Sequence, residues 1–398
     1  MDLYVLTCNK NMKKQQKNNN KYFVGLNEPN WLGWRKHTNI EINPLKTDKQ
    51  QRSLVLCISR VFAFERWQLL ITALEMYRLL NVNLVVAHIQ SAITSVYNLL
   101  KLYEREGILS VRPGIRFPHS KNMQWDPNAE TEFNGQILLA HECFYEFREN
   151  TEFIGLIDWD DLLLPSRNFV DLPSVFKEAL IKYPNTAYFL VNKLEAKFEE
   201  KSQNPRLFNL RNLMEKGIMM SHIYNDEKMV VRPKKLRGFW MHHSHFLEKG
   251  FKPQQLLTNY SILLHLANED RVKENEFIYP FLKNFNISEM ERHSRHSNFI
   301  LSQMANKNLN GLPRNLTYFN SISECHRLIF AYYKSINPTQ SHCLSYSLCE
   351  LPKIKQSCTV VKSFFERKKT KNTGNFVYIR INSEFEEREG CASEYRRI

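Results

Sequence analysis

An α/β fold, with a mostly parallel sheet flanked by helices, is the architecture this 398-residue sequence predicts. Two observations predict it. Short runs apolar at nearly every position recur at residues 54–59, 82–89, 108–111 and 153–157, which is how strands buried on both faces read. Between them lie stretches with helical spacing of apolar residues, and strands alternating with helices build parallel sheets. A third observation places the chemistry. The fourth run ends abruptly in Asp158-Trp159-Asp160-Asp161, and ligands of such sheets bind beyond the carboxyl ends of the strands.

Taken in order, residues 54–59 form a strand, 60–64 a loop, and 65–80 an amphipathic helix with Trp67, Leu70, Ile71, Leu74 and Tyr77 on one face. Residues 82–89 form the next strand. Ser91 is the expected N-cap of a helix carrying Ile93, Val96, Tyr97, Leu100 and Tyr103, which Gly107 ends. A strand at 108–111, a proline-containing loop to Pro127 and a helix over 128–148 lead to the acidic run. Beyond Pro165 the pattern loosens. A helix at 169–183 and a strand at 186–194 precede a polar connection over 195–221, taken to be mobile. Short strands are expected at 229–231 and 239–243, a loop and short helix over 254–268, a helix at 322–334 and a strand at 375–381. The resulting domains are a flexible basic segment (1–52), a catalytic domain (53–270) and an irregular C-terminal appendage (271–398).

Composition narrows the function classes. A hydrophobic content of 43% supports a substantial core, and 24% charged residues argues against wholesale disorder. The net charge of +14 lies largely in runs near both ends, which read as solvated tails, so no nucleic-acid partner is expected. No Cys-x-x-Cys pair occurs among the eight cysteines, which removes zinc-ribbon readings and leaves disulfides or free thiols open. No segment reaches the roughly 18 to 20 apolar residues of a membrane helix, and no signal-peptide core opens the chain, so it reads as soluble as written.

Clustered carboxylates repel one another, and a hard divalent cation, Mn²⁺ or Mg²⁺, relieves that repulsion while also binding phosphate. Two-residue alternation puts Asp158 and Asp160 on one side and turns Asp161 away. A cation there would bridge the phosphates of a departing nucleotide, with Arg60, Arg66, Arg232, Lys234, Lys235 and Arg237 as supporting cations. A second cluster, Trp240-Met241-His242-His243-Ser244-His245, offers imidazole ligands, but a site of histidines alone would need a remote third ligand such as His222 or His265, for which spacing gives no support. No Gly-x-Ser-x-Gly elbow, Walker loop or Gly-x-Gly-x-x-Gly fingerprint is present.

These segments together resemble glycosyltransferase family 92. The likeness is carried by Cys57-Ile58-Ser59, Arg66-Trp67-Gln68-Leu69-Leu70, Val85-Val86-Ala87-His88-Ile89-Gln90, residues 153–165, Val230-Val231-Arg232-Pro233 and Met241-His242-His243. The resemblance implies a GT-A-like fold, a Mn²⁺-type ion, and transfer of a sugar, galactose foremost, from a UDP-sugar donor to a glycan or glycoprotein acceptor. It also implies a Golgi or secretory setting with membrane association. Carried onto this sequence, Asp158 binds donor or metal, Asp160 ligates the metal, His243 completes its coordination, and Arg60 and Gln90 lie near the nucleotide. Asp226, Glu195 and Glu142 are candidates for the general base. The family's later His-Tyr-Arg-like stretch appears here as His265-Leu266-Ala267, so a catalytically degenerate glycan- or nucleotide-binding protein is the alternative.

Overall fold

In the computed structural model, the described residues are 22–29, 35–42, 46–117, 128, 135–166, 171–198, 204–216, 218–266, 287–304, 309–336, 349, 351–369 and 376–391. Within the N-terminal segment expected to be flexible, β1 (Tyr22–Pro29) and β2 (Arg35–Ile42) pair as an antiparallel hairpin. The alternating units follow as β3 (Arg52–Val61), α1 (Trp67–Leu79), β4 (Leu84–Ile89), β5 (Ser91–Ile93), α2 (Thr94–Arg105), β6 (Leu109–Pro113), α3 (Gln136–Phe147), β7 (Thr151–Ile157) and β8 (Asp161–Pro165). Next come α4 (Leu172–Lys182), β9 (Thr186–Phe198), α5 (Leu210–Lys216), β10 (Ile218–Val231), β11 (Lys252–Leu256) and β12 (Ser261–His265). The C-terminal third contributes α6 (Ile287–Met304), α7 (Thr317–Ile336), β13 (Ser357–Lys369) and β14 (Phe376–Glu389).

The main sheet runs β6-β4-β3-β7-β10-β9-β12-β8, with β11 added alongside β9. Pairings of β3 with β4 and β7, β4 with β6, and β9 with β11 and β12 are parallel, while β10 and β8 enter antiparallel. This is the predicted architecture: a large, mostly parallel sheet between helices. Alternation along β3 shows why its run had to be apolar throughout. Leu54, Leu56 and Ile58 pack with α1, α2 and α4, whereas Val55 and Cys57 pack on the other face with Cys143 and Phe144 of α3. A Cys57–Cys143 disulfide ties that second face together.

Helix α1 departs from a simple amphipathic helix. Every residue from Trp67 to Tyr77 is buried, including Gln68, Thr72 and Glu75, because α6 covers the side away from the sheet. The C-terminal third is therefore regular structure packed into the core, with Met290, Ile300, Leu301 and Tyr318 among the buried cluster. Trp67 Nε1 donates to Pro313 O at 2.9 Å, Ser95 Oγ donates to Gly311 O at 2.7 Å, and Phe319 N–H donates to Glu65 at 2.7 Å. Strand β13 adds to β5 in a separate three-stranded sheet, and Cys358–Cys391 clamps the base of its hairpin. A third disulfide joins Cys325 to Cys349.

Several local expectations are corrected. Ser91 is not an N-cap: it lies in β5, its hydroxyl accepts from Ala63 N–H at 2.7 Å, and α2 begins at Thr94. The polar stretch over 195–221 continues β9, then forms a 3₁₀ turn and α5 before entering β10. Residues 239–243 are a turn rather than a strand, closed by Trp240 N–H donating to His243 O at 2.7 Å. The loop and helix expected over 254–268 give way to strands, because β11 and β12 both find β9 as a parallel partner. The loop after Phe117 and the start of the helix before α3 lie almost entirely outside the described residues.

Candidate active site

Strand β7 carries the chain to Ile157 at the carboxyl edge of the sheet, and a tight turn over residues 158–161 sends it back as β8. Asp161 N–H donates to the Asp158 carbonyl at 3.2 Å, and Asp158 N–H donates to Asp161 Oδ2 at 3.0 Å. That reciprocal turn breaks two-residue alternation. Asp161 is consequently not turned away from Asp158, as the strand period predicts, but is wholly buried at the centre of the site.

Two other strands and two helices complete the arrangement. From β10, Lys228 Nζ donates to Asp158 and lies 3.1 Å from Asp161 Oδ2. From the carboxyl end of β12, the antiparallel register with β8 sets His265 opposite Asp161, and its Nδ1 lies 2.9 Å from Asp161 Oδ1. Leu266 N–H donates to the Asp160 carbonyl at 2.7 Å, which fixes the turn to the end of β12. Gln136, opening α3, donates to Asp158 Oδ1 at 2.7 Å, and the Tyr77 phenol reaches the Asp161 carbonyl at 2.8 Å.

Burial, the largest single influence, would raise the Asp161 and Asp158 carboxyls, but the opposing groups together hold both below the ordinary range: Lys228 with His265 for Asp161, and Lys228 with Arg60 for Asp158. Lys228 is itself held protonated, since attraction to Asp158 and Asp161 exceeds the cost of burying its charge. His265 is pushed above the ordinary imidazole range: burial opposes protonation, and Asp160 and Asp161 overcome it.

Asp160, Asp161 and His265 each offer a ligand atom within 4.8 Å of the others. Two carboxylates and an imidazole form a donor set suited to Mn²⁺, so the chemistry of these residues fits a divalent ion. His265 had no support from spacing, and its place follows only from strand register. His243 is not in that group; it is exposed, with its ring 4.8 Å from that of His245.

Other sequence candidates are distributed unevenly. Arg60, ending β3, is close enough to lower Asp158. Gln90 is buried and donates to Ile115 O at 2.9 Å, which holds the chain after β6. Glu195 is buried on β9 directly opposite His265 in the strand register. Glu142 pairs with Arg380 of the hairpin. The side chains of Asp226 and His222 lie outside the described residues. Among the supporting cations, Arg232 bonds the Pro184 and Thr186 carbonyls, Lys235 lies over the Phe251 ring, and Arg237 pairs with Glu248. Sequence reasoning missed Lys228 and Gln136, which are single polar residues beside apolar runs.

A small cavity of about 30 Å³ sits against Asp158 and Lys228, roofed by Phe239, Met241 and His242. Hollows of about 540 and 680 Å³ lie at the opposite end of the strands, around Ser53 and Asn83, away from the clustered carboxylates. Site chemistry, rather than cavity size, therefore marks the candidate active site. Among the described residues, no helix is long and apolar enough to cross a membrane.

Comparison with known proteins identifies the family. The family model for glycosyltransferase family 92 matches residues 52–309, from β3 through the end of α6. Two glycosyltransferase family 92 proteins of Caenorhabditis elegans are similar over most of the chain. F13G3.3 is 24% identical over 86% of this chain and 70% of its own, and F59C6.8 is 26% identical over 85% and 68%. With well over half its length matched, and an acidic turn at the carboxyl edge of a mostly parallel sheet, the chain belongs to glycosyltransferase family 92.

Proposed function

We propose that the protein transfers a hexose, galactose foremost, from a UDP-sugar to a glycan acceptor, with Mn²⁺ or Mg²⁺ held by Asp160, His265 and Asp161. The observation that carries this reading is the convergence of those three side chains at the carboxyl ends of the sheet strands. When bound, the ion supplies Lewis-acid stabilisation of the diphosphate leaving group. The chain's own residues prepare the site. Lys228 keeps Asp158 and Asp161 ionised, Gln136 fixes the Asp158 carboxylate, and Arg60 adds positive potential where a diphosphate would lie. Glu195, set across from His265, is the general-base candidate best supported by position. The three disulfides among the described residues support a secretory, oxidising setting.

One observation favours a second reading, binding of a glycan or nucleotide without turnover. Lys228 already neutralises part of the acidic cluster that a metal would otherwise balance. A panel of UDP-sugars assayed for UDP release, with Mn²⁺ or with EDTA, separates the two. Metal-dependent release from one donor supports the transferase, whereas binding of a donor with no release across the panel favours the non-catalytic reading.

A further inference from the structure

The segment after β10 runs back along the face of the sheet covered by α3 and reaches the acidic turn, where Met241 and His242 line the cavity beside Asp158 and Lys228. It is held firmly. Leu236 and Leu247 pair as an antiparallel bridge, Arg237 N–H donates to Phe246 O at 2.8 Å, and Phe239 stacks on His141 with ring centroids 4.1 Å apart. Ser244 Oγ donates to Gly238 O, and His242 Nδ1 lies 2.6 Å from Glu227 O on β10.

This pinned loop carries large side chains outward. Trp240 is 45% exposed and Phe246 65% exposed, and His243 and His245 are exposed beside each other. An aromatic held open to water by a rigid backbone forgoes its burial energy, and such surfaces mark binding sites when they adjoin a cleft. The composition narrows the ligand. A pyranose ring has an apolar face of C–H groups that stacks on an indole and a rim of hydroxyls that imidazoles can both donate to and accept from. The loop is continuous, through Met241 and His242, with the residues beside Asp158.

We infer that Trp240, flanked by His243 and His245, is a platform that stacks a pyranose ring of the acceptor glycan at the mouth of the active site. The inference rests on the transferase reading for the role of that sugar, not for the binding itself. His243 thus serves the acceptor rather than the metal.

The test uses the full chain on an array of defined oligosaccharides without donor or metal, followed by calorimetric titration of the glycan retained. Trp240→Ala is expected to weaken that binding about tenfold or more, Trp240→Phe to restore part of it, and Ile181→Ala, on α4 at the opposite face of the sheet, to leave it unchanged. UDP binding with Mn²⁺ is measured on the same samples. Glycan binding that depends on Trp240 in a chain that takes no UDP-sugar removes the transferase reading and leaves the platform standing. No retained glycan, unchanged affinity in Trp240→Ala, or a concentration-dependent self-association that Trp240→Ala abolishes would overturn the platform.

Discussion

Lys228 joins two carboxylates that are separated from it by about seventy positions along the chain, and its removal would leave Asp161 buried without the cation that contacts its Oδ2. Breaking a buried pair by deleting one partner costs about 3 to 5 kcal/mol, because the remaining charge is stranded. Lys228→Met is therefore expected to lower stability by about 3 kcal/mol or more. A second change, Asp161→Asn, should recover part of the loss, and denaturant unfolding of the two variants checks both outcomes. The acidic run itself was legible as a site because three carboxylates closing an apolar run need a compensating charge. Its inner arrangement was not: the strand period fails at a reciprocal turn, and the compensating lysine and histidine arrive through pairing between distant strands.

At the level of elements, α1, α2 and α6 meet at Glu75. Its buried carboxylate accepts from the Tyr103 hydroxyl at 2.9 Å and contacts His293 Nδ1 at 2.9 Å and His296 Nδ1 at 2.7 Å. Burial would raise the Glu75 carboxyl, but bonds from the two histidines hold it below the ordinary value; the bond to Glu75 raises His296. The glutamate contribution is present above its unfolded value, about 4.3, and fades as pH falls through the lowered folded one. The His296 contribution is complete below about 6.5 and is lost as pH rises through its raised folded value. Glu75→Gln should thus cost most between about pH 5 and 6, on the order of 2 kcal/mol, with the gap to the native chain narrowing on both sides in melting curves. The core strands and α1 to α4 were legible because burial on both faces leaves an apolar run, while β11 and β12 were hidden by short, mixed sequences that become strands only through their parallel partner.

Across the whole molecule, the C-terminal third is part of the machinery of folding: α6 closes the outer side of α1, and the β13–β14 hairpin is tied to β5 and to Glu142 of α3. This was not legible in the sequence, since α6 carries few apolar residues and part of its seam with α1 consists of the polar contacts around Glu75. At the other end of the sheet, the role proposed for Asp160, Asp161 and His265 is to hold a divalent ion that binds UDP. Calorimetric titration of UDP into the native chain and Asp160→Asn, each with Mn²⁺ and with EDTA, addresses it most directly. The native chain is expected to bind UDP only with Mn²⁺, and the folded Asp160→Asn variant to lose about tenfold or more in affinity. Equal UDP affinity with and without metal, or an unchanged affinity in Asp160→Asn, would contradict it.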